Sequence, residues 1–265
     1  MAKFEIKDGL AIIPEETKTI PEYAFSGCSA LTEITIPESV TEIGEGAFAS
    51  CSISKLEIPE GVETLSRCLF EGCQMLTSIK IPGSVKCIES SAFDYCPSLQ
   101  SVDIPNSVTS IEGVAFRNCK SLTSITIPNS VTEIGSAAFC GCSALTEITI
   151  PEGVTNIKAG TFCGCSALTK ITIPEGVTSI GDSAFSGCSA LKEITLPKSV
   201  EEIGKCVFDE CVNLKTITLL GRINKIDGAA FDVFKNLETI SIPEGTESYY
   251  KEHLPHLESM LEERW

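Results

Sequence analysis

The sequence predicts a β-rich solenoid of the α/β type, in which the chain winds as a right-handed curved coil. A parallel β-sheet should line the concave side, and short helical or 3-10 turns should lie on the convex side. Two observations support this fold class. Proline, phenylalanine and cysteine each recur every 23 residues, with one interval of 22, and an Ile-x-Ile or similar run precedes most of the prolines. A fixed period of about 20 to 50 residues indicates stacked repeats.

The phenylalanine and cysteine tracks run through nearly the whole chain. The phenylalanines are Phe25, Phe48, Phe70, Phe93, Phe116, Phe139, Phe162, Phe185, Phe208 and Phe231. The cysteines are Cys28, Cys51, Cys73, Cys96, Cys119, Cys142, Cys165, Cys188 and Cys211, and Phe234 takes the tenth place on their track. The short interval lies at Cys51-Ser52-Ile53, where one residue is missing, so the coil should close more tightly there.

Each repeat contains one predicted strand. In the unit at 122–144, the run Ile125-Thr126-Ile127 alternates with period 2 and ends at Pro128, which cannot donate to a strand ladder. No unit of this size can bury its apolar residues alone, so equivalent residues should stack into one continuous core. Parallel strands joined in this way cross over with right-handed geometry. About ten units spaced about 4.8 Å apart give a body about 50 Å long.

The chain should form one repeat domain with a cover at each end, because bare strand edges promote aggregation. We predict a single domain over 1–265, with an N-terminal β-hairpin cap at 1–12, about ten repeats at 13–243 and a C-terminal helical cap at 244–265.

Each cap has its own sequence signal. Asp8-Gly9 favours a hairpin turn with positive φ, so residues 3–7 should fold back antiparallel over the first parallel strand. Leucine and tryptophan recur at helical spacing near the C-terminus, which predicts an amphipathic helix. The residues on its apolar face are Leu254, Leu257, Leu261 and Trp265.

The repeat resembles that of a known family. The pattern Ile-Pro-x-x-Val-x-x-Ile-Gly-x-x-Ala-Phe-x-x-Cys-x-x-Leu is intact at 173–191 and resembles the BspA-like subclass of leucine-rich repeats. The resemblance covers nearly all of 13–243. It implies a curved solenoid and a role in binding other proteins, and many members act in adhesion at bacterial or protist surfaces. It thereby suggests a secreted or cell-surface location, although no export signal is visible at residues 1–6.

The charge and the hydropathy pattern disfavour several classes of partner. The chain has 36 acidic and 20 basic residues, for a net charge of −16, so phosphate backbones and anionic lipid surfaces should repel it. No apolar run reaches the roughly 18 residues of a membrane span. We expect a protein partner, no nucleic acid, no membrane insertion, no cofactor and a monomeric chain.

The fourteen cysteines raise the question of metal or disulfide sites. Nine lie on the 23-residue track, which lacks the C-x-x-C spacing of zinc sites. The favoured interpretation is a column of buried thiols that act as small hydrophobic residues. Cys140 and Cys163 form a second pair one coil apart, and a disulfide between them is an alternative. Cys68, Cys87 and Cys206 are isolated and are interpreted as ordinary.

Catalysis normally needs a histidine or a desolvated carboxylate pair beside a nucleophile. The two histidines, His253 and His256, lie in the predicted C-terminal cap. A metal or catalytic role for this i, i+3 pair is the less favoured alternative to two surface positions. Neither a G-x-G-x-x-G nor a Walker-type loop occurs. We therefore expect a non-enzymatic protein with no catalytic and no metal-ligating residues.

The strands should present two exposed columns, because residues that alternate with inward-pointing Ile point outward. The first column contains Glu33, Lys55, Ser78, Ser101, Ser124, Glu147, Lys170, Glu193 and Thr216. The second column contains Thr35, Glu57, Lys80, Asp103, Thr126, Thr149, Thr172, Thr195 and Thr218. Charge alternates along Glu57, Lys80 and Asp103, which favours partner discrimination in the first half. Neither column has an aromatic residue, which indicates a weak or polar partner, or none on this face.

We interpret the chain as a non-catalytic protein-binding module for adhesion or ligand recognition through the concave sheet. One alternative is a passive spacer or assembly module, which the near-identical units support; the two columns are then merely solvent-compatible strand residues. A remote alternative is an ice-binding surface, since threonine repeats along the second column. The neighbouring column, however, carries Glu, Lys and Ser.

Overall fold

The computed structural model describes residues 4–227, 229–231 and 236–264. In chain order its strands are β1 (Glu5–Lys7), β2 (Leu10–Ile12), β3 (Thr19–Ile20), β4 (Glu33–Ile34), β5 (Glu42–Ile43), β6 (Thr64–Leu65), β7 (Ser78–Lys80), β8 (Cys87–Ile88), β9 (Ser101–Asp103), β10 (Ser110–Ile111), β11 (Glu133–Ile134), β12 (Glu147–Thr149), β13 (Asn156–Ile157), β14 (Lys170–Thr172), β15 (Ser179–Ile180), β16 (Glu193–Leu196), β17 (Glu202–Ile203), β18 (Thr216–Leu219), β19 (Lys225–Ile226), β20 (Thr239–Pro243) and β21 (Leu261–Arg264). One α-helix, α1 (Glu247–His253), and one 3-10 helix (Pro255–Met260) lie near the C-terminus.

The predicted fold class is confirmed: the chain forms a parallel β-solenoid of about 11 turns with little helix. The predicted sheet is present as the front ladder, which we define as β4, β7, β9, β12, β14, β16, β18 and β20. Four neighbouring pairs of these strands, β7–β9, β12–β14, β16–β18 and β18–β20, are hydrogen-bonded in parallel. Equivalent repeat positions lie opposite each other, as in Glu147 with Lys170 and Thr149 with Thr172. Isolated bridges join Glu57 to Lys80 and Asp103 to Thr126.

A second ladder of parallel strands was not predicted. It consists of β3, β5, β6, β8, β10, β11, β13, β15, β17 and β19, and each of these strands is two residues long. They fall on the Val-x-x-Ile part of the repeat, as in Ser110–Ile111 paired with Glu133–Ile134. Two residues cannot display a period-2 alternation, so the pattern gave no signal for a strand.

The third side of each coil consists of turns, which corrects the expectation of short helical or 3-10 segments there. Among the described residues of the repeats, no helix is assigned. Two residues per coil have positive φ, as at Ala137 (53°) and Gly141 (74°), and left-handed residues interrupt any right-handed helix. The coils are tied together here as well, because the Phe116 amide donates to the Ala138 carbonyl at 2.8 Å.

The phenylalanine track is a stack of buried rings. From Phe25 to Phe208 the centroids of neighbouring rings are 5.1–5.8 Å apart and the ring planes differ by at most 16°. Phe4 continues the stack beyond the first coil, 5.2 Å from Phe25. The buried apolar side chains of the described coils form one core cluster that runs from Ala11 to Leu257.

The cysteine track lies beside the rings. Each thiol from Cys51 to Cys211 donates to the carbonyl of the phenylalanine on the preceding coil, with S to O distances of 2.9–3.3 Å. All eight of these cysteines are buried and free, whereas Cys28 at the start is only half-buried. The tenth position, Phe234, lies outside the described residues. Cysteine therefore acts here as a small apolar residue that also satisfies one buried carbonyl.

At the N-terminus, β1 pairs antiparallel with β2, and β2 pairs in parallel with β4. The turn between β1 and β2 has positive φ at Asp8 (51°) and Gly9 (85°), as the Asp-Gly sequence predicts. Lys3, within the predicted segment 3–7, lies outside the described residues.

The C-terminal cap differs from the predicted single amphipathic helix. Helix α1 ends at His253, because Pro255 has no amide hydrogen and disfavours helical geometry at Leu254 (φ −131°, ψ 55°). A 3-10 helix follows, and β21 then pairs in parallel with β20 to add one more strand to the front ladder. Leu254 and Leu257 are buried as expected, but Leu261 belongs to β21, and Trp265 lies outside the described residues.

Candidate binding face

The front ladder positions its side chains by simple alternation. In β12 the isoleucine Ile148 is 3% exposed and points into the core, whereas Glu147 and Thr149 on either side of it are exposed. Parallel pairing in register repeats this arrangement on the next coil, where Lys170 and Thr172 take the equivalent places. The two predicted columns therefore lie side by side along one face.

The structure places most of the predicted site residues in solvent. Ser78, Thr216 and Thr218 are half-buried, and all other members of both columns are exposed. The exposed part of the second column ends before β20, because Ser241, the next residue along this column, is 1% exposed. Exposure makes these side chains available to a partner, and their use in binding stays a prediction.

The alternating charges of the second column lie on three consecutive coils. Glu57 is opposite Lys80 and Lys80 is opposite Asp103. Within the described part of the chain, none of these three side chains takes part in an ion pair. Their charges therefore remain available to an incoming molecule.

A shallow groove of about 720 Å³ lies on the same half of the front ladder. Its lining includes Thr35, Lys55, Glu57 and Lys80, together with the largely buried Leu56. The groove joins charged side chains to an apolar surface, a combination found at sites of protein recognition.

A second concavity, of about 570 Å³, lies along the second ladder and has a different charge arrangement. Lys158 in its lining pairs with Glu133 at 2.6 Å, and Lys225 pairs with Glu202 at 3.3 Å. Because these charges already have partners within the chain, the front ladder is the better candidate site.

Two apolar residues that the sequence analysis missed extend the columns at the N-terminal end. Leu10 lies opposite Glu33 in the parallel pairing of β2 with β4, and Ile12 follows in the same alternation. Their side chains are 41% and 56% exposed, respectively. Both positions precede Glu33 and Thr35 by 23 residues, so the period of the repeat, continued into residues 1–12, is the signal that identifies them.

The threonines of the second column have free hydroxyl groups. Thr126, Thr149, Thr172 and Thr195 make no hydrogen bond through their side chains to any described residue. Other exposed threonines have a structural role, since Thr169 donates to the carbonyl of Thr146 at 3.1 Å. From Thr126 to Thr195 the second column thus offers polar, uncharged side chains, next to the charged Glu147, Lys170 and Glu193 of the first column.

The side chains of both histidines contact neighbouring groups of the C-terminal part of the chain. His253 stacks on the Tyr249 ring with centroids 4.0 Å apart, and His256 Nε2 lies 3.3 Å from the Phe231 carbonyl. No cluster of three or more His, Cys, Asp or Glu side chains in 4–227, 229–231 and 236–264 could hold a metal ion. Within the same ranges, no helix has the length and apolar character that crossing a bilayer requires.

Burial disfavours the reactive thiolate form of the cysteines on the 23-residue track. Burial raises the pKa of Cys51, Cys73, Cys142 and Cys211 to about 12. The half-buried Cys140 has its pKa raised to about 11 by desolvation, with a smaller upward effect of the neighbouring Cys163 thiol.

Comparison with known proteins identifies the repeat. The family model of the BspA type leucine rich repeat region matches 10–122, 86–188, 109–232 and 155–259. A leucine-rich repeat protein from Bacteroides ovatus has 30% sequence identity and a TM-score of 0.66 over 96% of this chain and 77% of that chain. The leucine-rich repeat protein of T. pallidum has 30% identity and a TM-score of 0.54 over 69% and 78%, respectively.

A more distant structure shares the fold alone. The pneumococcal vaccine antigen PcpA is 18% identical, with a TM-score of 0.55 over 96% of this chain and 77% of that one. No curated protein matches the chain significantly. The repeat pattern, the coil and the matches over 10–259 agree, and the chain belongs to the BspA-type leucine-rich repeat family.

Proposed function

We propose that this chain is a protein-binding module that holds its partner on the N-terminal half of the front ladder, in adhesion or ligand recognition. The observation that carries the proposal is the continuity of one surface. The exposed Leu10 and Ile12 lie one coil before Glu33 and Thr35. Thr35 lines a groove that Glu57 and Lys80 also line, and the charges of these two residues have no partner within the described chain. Proteins of this family are typically binding or adhesion modules and generally non-catalytic.

Apolar and charged side chains of this surface would contribute to binding in different ways. Leu10 and Ile12 can supply apolar area to the centre of an interface, although the columns carry no aromatic anchor. Unpaired charges at Glu57, Lys80 and Asp103 can discriminate among partners and speed their association. The rigid coil adds little ordering cost on binding, because its backbone is already hydrogen-bonded from coil to coil.

Capture and re-binding with matched variants test the proposal. Immobilised wild-type chain is used as bait, each captured protein is identified by mass spectrometry, and the purified partner is titrated against the variants. Leu10→Ser/Ile12→Ser and Glu57→Ala/Lys80→Ala/Asp103→Ala should each weaken binding by about tenfold or more, equivalent to about 1.4 kcal/mol.

The control variant changes residues in the C-terminal half of the front ladder. Thr149→Ala/Thr172→Ala/Thr195→Ala removes three exposed hydroxyls and should leave binding within about twofold of wild type. A partner that binds both N-terminal variants as well as it binds wild type contradicts the proposal.

Location and oligomeric state belong to the same proposal. We infer a monomeric module at the cell surface or in the extracellular medium, supported by the adhesion role that the family resemblance implies. Surface labelling of intact cells that express the natural gene, together with light scattering of the purified chain, checks both. Labelling that occurs only after the cells are lysed contradicts the inferred location. A mass of two chains in light scattering contradicts the inferred monomer.

A further inference from the structure

The turn side of the coil carries a column of four residues on consecutive coils: one acidic, one basic and two cysteines. Asp94, Arg117, Cys140 and Cys163 follow the phenylalanine of their own repeat and are each 23 residues apart. Arg117 donates two hydrogen bonds to the buried Asp94 carboxylate, at 3.0 and 2.5 Å. The guanidinium of Arg117 also lowers the pKa of Cys140, against a larger upward effect of burial.

The two thiols at the end of this column are neighbours. The Gly141 amide donates to the Cys163 carbonyl at 2.7 Å, which ties the two coils together next to both cysteines. Burial raises the pKa of Cys140 to about 11, and the neighbouring Cys163 thiol adds a smaller upward effect. Neighbouring coils of such a stack are about 5 Å apart, which is within the Cα separation of about 4.4 to 6.8 Å that a disulfide accepts.

Access distinguishes this pair from the buried cysteine track. Cys142 and Cys165 are also one coil apart, but both are 0% exposed, and their thiols donate to the Phe116 and Phe139 carbonyls. Cys140 and Cys163 are half-buried, so a small molecule can reach them. Among the other half-buried cysteines, Cys68, Cys87 and Cys206 have no cysteine at the equivalent place on a neighbouring coil. Cys28 has Cys51 there, but Cys51 is buried and its thiol donates to the Phe25 carbonyl.

We propose that Cys140 and Cys163 form a reversible dithiol–disulfide site that takes low-molecular-weight disulfides as its oxidant and joins two neighbouring coils. One thiol loses its proton, and the thiolate attacks a sulfur of the external disulfide. The external S–S bond breaks, one small thiolate leaves, and a mixed disulfide forms. The second cysteine, after losing its proton, displaces the other small thiolate. In total, two protein thiols are oxidised, one external disulfide is reduced, and the two released protons protonate the leaving thiolates.

Thiol counting tests the site directly. Folded wild-type protein is incubated with oxidised glutathione in mildly alkaline buffer, then denatured, alkylated and weighed by mass spectrometry. We expect two fewer alkylated cysteines than the fourteen present, no retained glutathione, and a cross-linked peptide pair containing Cys140 and Cys163. Treatment with a dithiol reductant should restore all fourteen.

Variants separate the site from general thiol oxidation. Cys140→Ser and Cys163→Ser should each stop the cross-link and leave the remaining cysteine as a glutathione adduct, whereas Cys68→Ser should cross-link like wild type. Far-UV circular dichroism verifies that each variant is folded. The oxidised wild type should also unfold at a temperature several degrees higher than the reduced form, because the bond closes a loop through the coil.

Three outcomes overturn the proposal. The first is the recovery of all fourteen alkylated thiols after oxidation. The second is a glutathione adduct that persists at Cys140 or Cys163 in the wild type, which would show that the sulfurs are reachable but do not meet. The third is a cross-link that involves the buried cysteines equally.

Discussion

Val114 is the residue whose side chain fits its backbone conformation least well. Its φ is 52°, in the left-handed region, and it is the one β-branched residue with positive φ among those described. Other coils have glycine at this position, as at Gly46 and Gly160. Left-handed geometry costs a residue with a Cβ roughly 1–2 kcal/mol, and branching at Cβ adds to the crowding.

Val114→Gly should therefore stabilise the protein. The relief of strain exceeds the extra flexibility that glycine gives the unfolded chain, so we expect a net gain of about 0.5–1 kcal/mol in the free energy of unfolding. Urea denaturation monitored by circular dichroism measures it. Ala137→Gly, at the same position one coil later, should gain less because alanine is unbranched, and equal gains for the two variants would contradict the explanation.

Gly135 is required for space and not for its backbone conformation. Its φ is not in the left-handed region, but a Cβ placed there would lie 2.2 Å from the Gly113 backbone nitrogen on the preceding coil. Gly135→Ala should therefore force the coils apart and reduce the free energy of unfolding by about 1–3 kcal/mol. The same urea titration decides the matter, and an unchanged midpoint would mean that the two coils separate without cost.

At the scale of elements, the C-terminal cap supports the coil that lacks a proline. Leu220 stands where proline ends other strands, and the Tyr250 hydroxyl of α1 accepts from the Ile223 amide at 3.0 Å and donates to the Gly221 carbonyl at 3.1 Å. Tyr250 is 0% exposed. The helix thereby satisfies backbone groups of a coil near the end of the stack.

Tyr250→Phe should leave that amide and that carbonyl buried without their partner. The expected loss is about 1–3 kcal/mol in the free energy of unfolding, and hydrogen exchange at the Ile223 amide should become faster. Tyr249→Phe is the matched control, because Tyr249 is only half-buried and its hydroxyl donates to the Ile223 carbonyl. An unchanged exchange rate at Ile223 in Tyr250→Phe would contradict the proposed support.

The ring stack is the second element whose contribution can be measured. Phe139 is 0% exposed and lies between Phe116 at 5.5 Å and Phe162 at 5.8 Å. Phe139→Ala leaves a cavity in the centre of the stack and should cost about 3–5 kcal/mol. Phe4→Ala removes a ring with one neighbour at the end of the stack and should cost clearly less. A loss below about 1 kcal/mol for Phe139→Ala would mean that the ring adds little to the core.

For the whole molecule, periodicity alone was enough to predict the coil, because three residue tracks shared one period. The missed features lack such a signal. Left-handed turns at Val114 and Ala137 use residues that normally avoid positive φ, and the short strands of the second ladder show no alternation. In the candidate site, alternation predicted exposure along both columns, but Leu10 and Ile12 were missed because residues 1–12 had been assigned to a cap.

The column of buried thiols makes the stability of the whole coil sensitive to alkali. The pKa values of Cys51, Cys73, Cys142 and Cys211 are raised to about 12 in the folded chain, whereas thiols of an unfolded chain ionise near about 8.5. Above that pH the unfolded state has lost protons that the folded state still holds. The free energy of unfolding must therefore fall as pH rises from about 8.5 towards 12, by about 1.4 kcal/mol per pH unit for each such thiol.

Denaturant titrations at a series of alkaline pH values measure this slope. Cys142→Ala should be less stable than wild type at neutral pH, because a buried thiol and its bond to the Phe116 carbonyl are lost. Its stability should nevertheless fall less steeply above about pH 8.5, with a slope shallower by about 1.4 kcal/mol per pH unit, since one proton fewer is linked to unfolding. Parallel curves for the two proteins would show that ionisation of the buried thiols does not limit the stability of the coil.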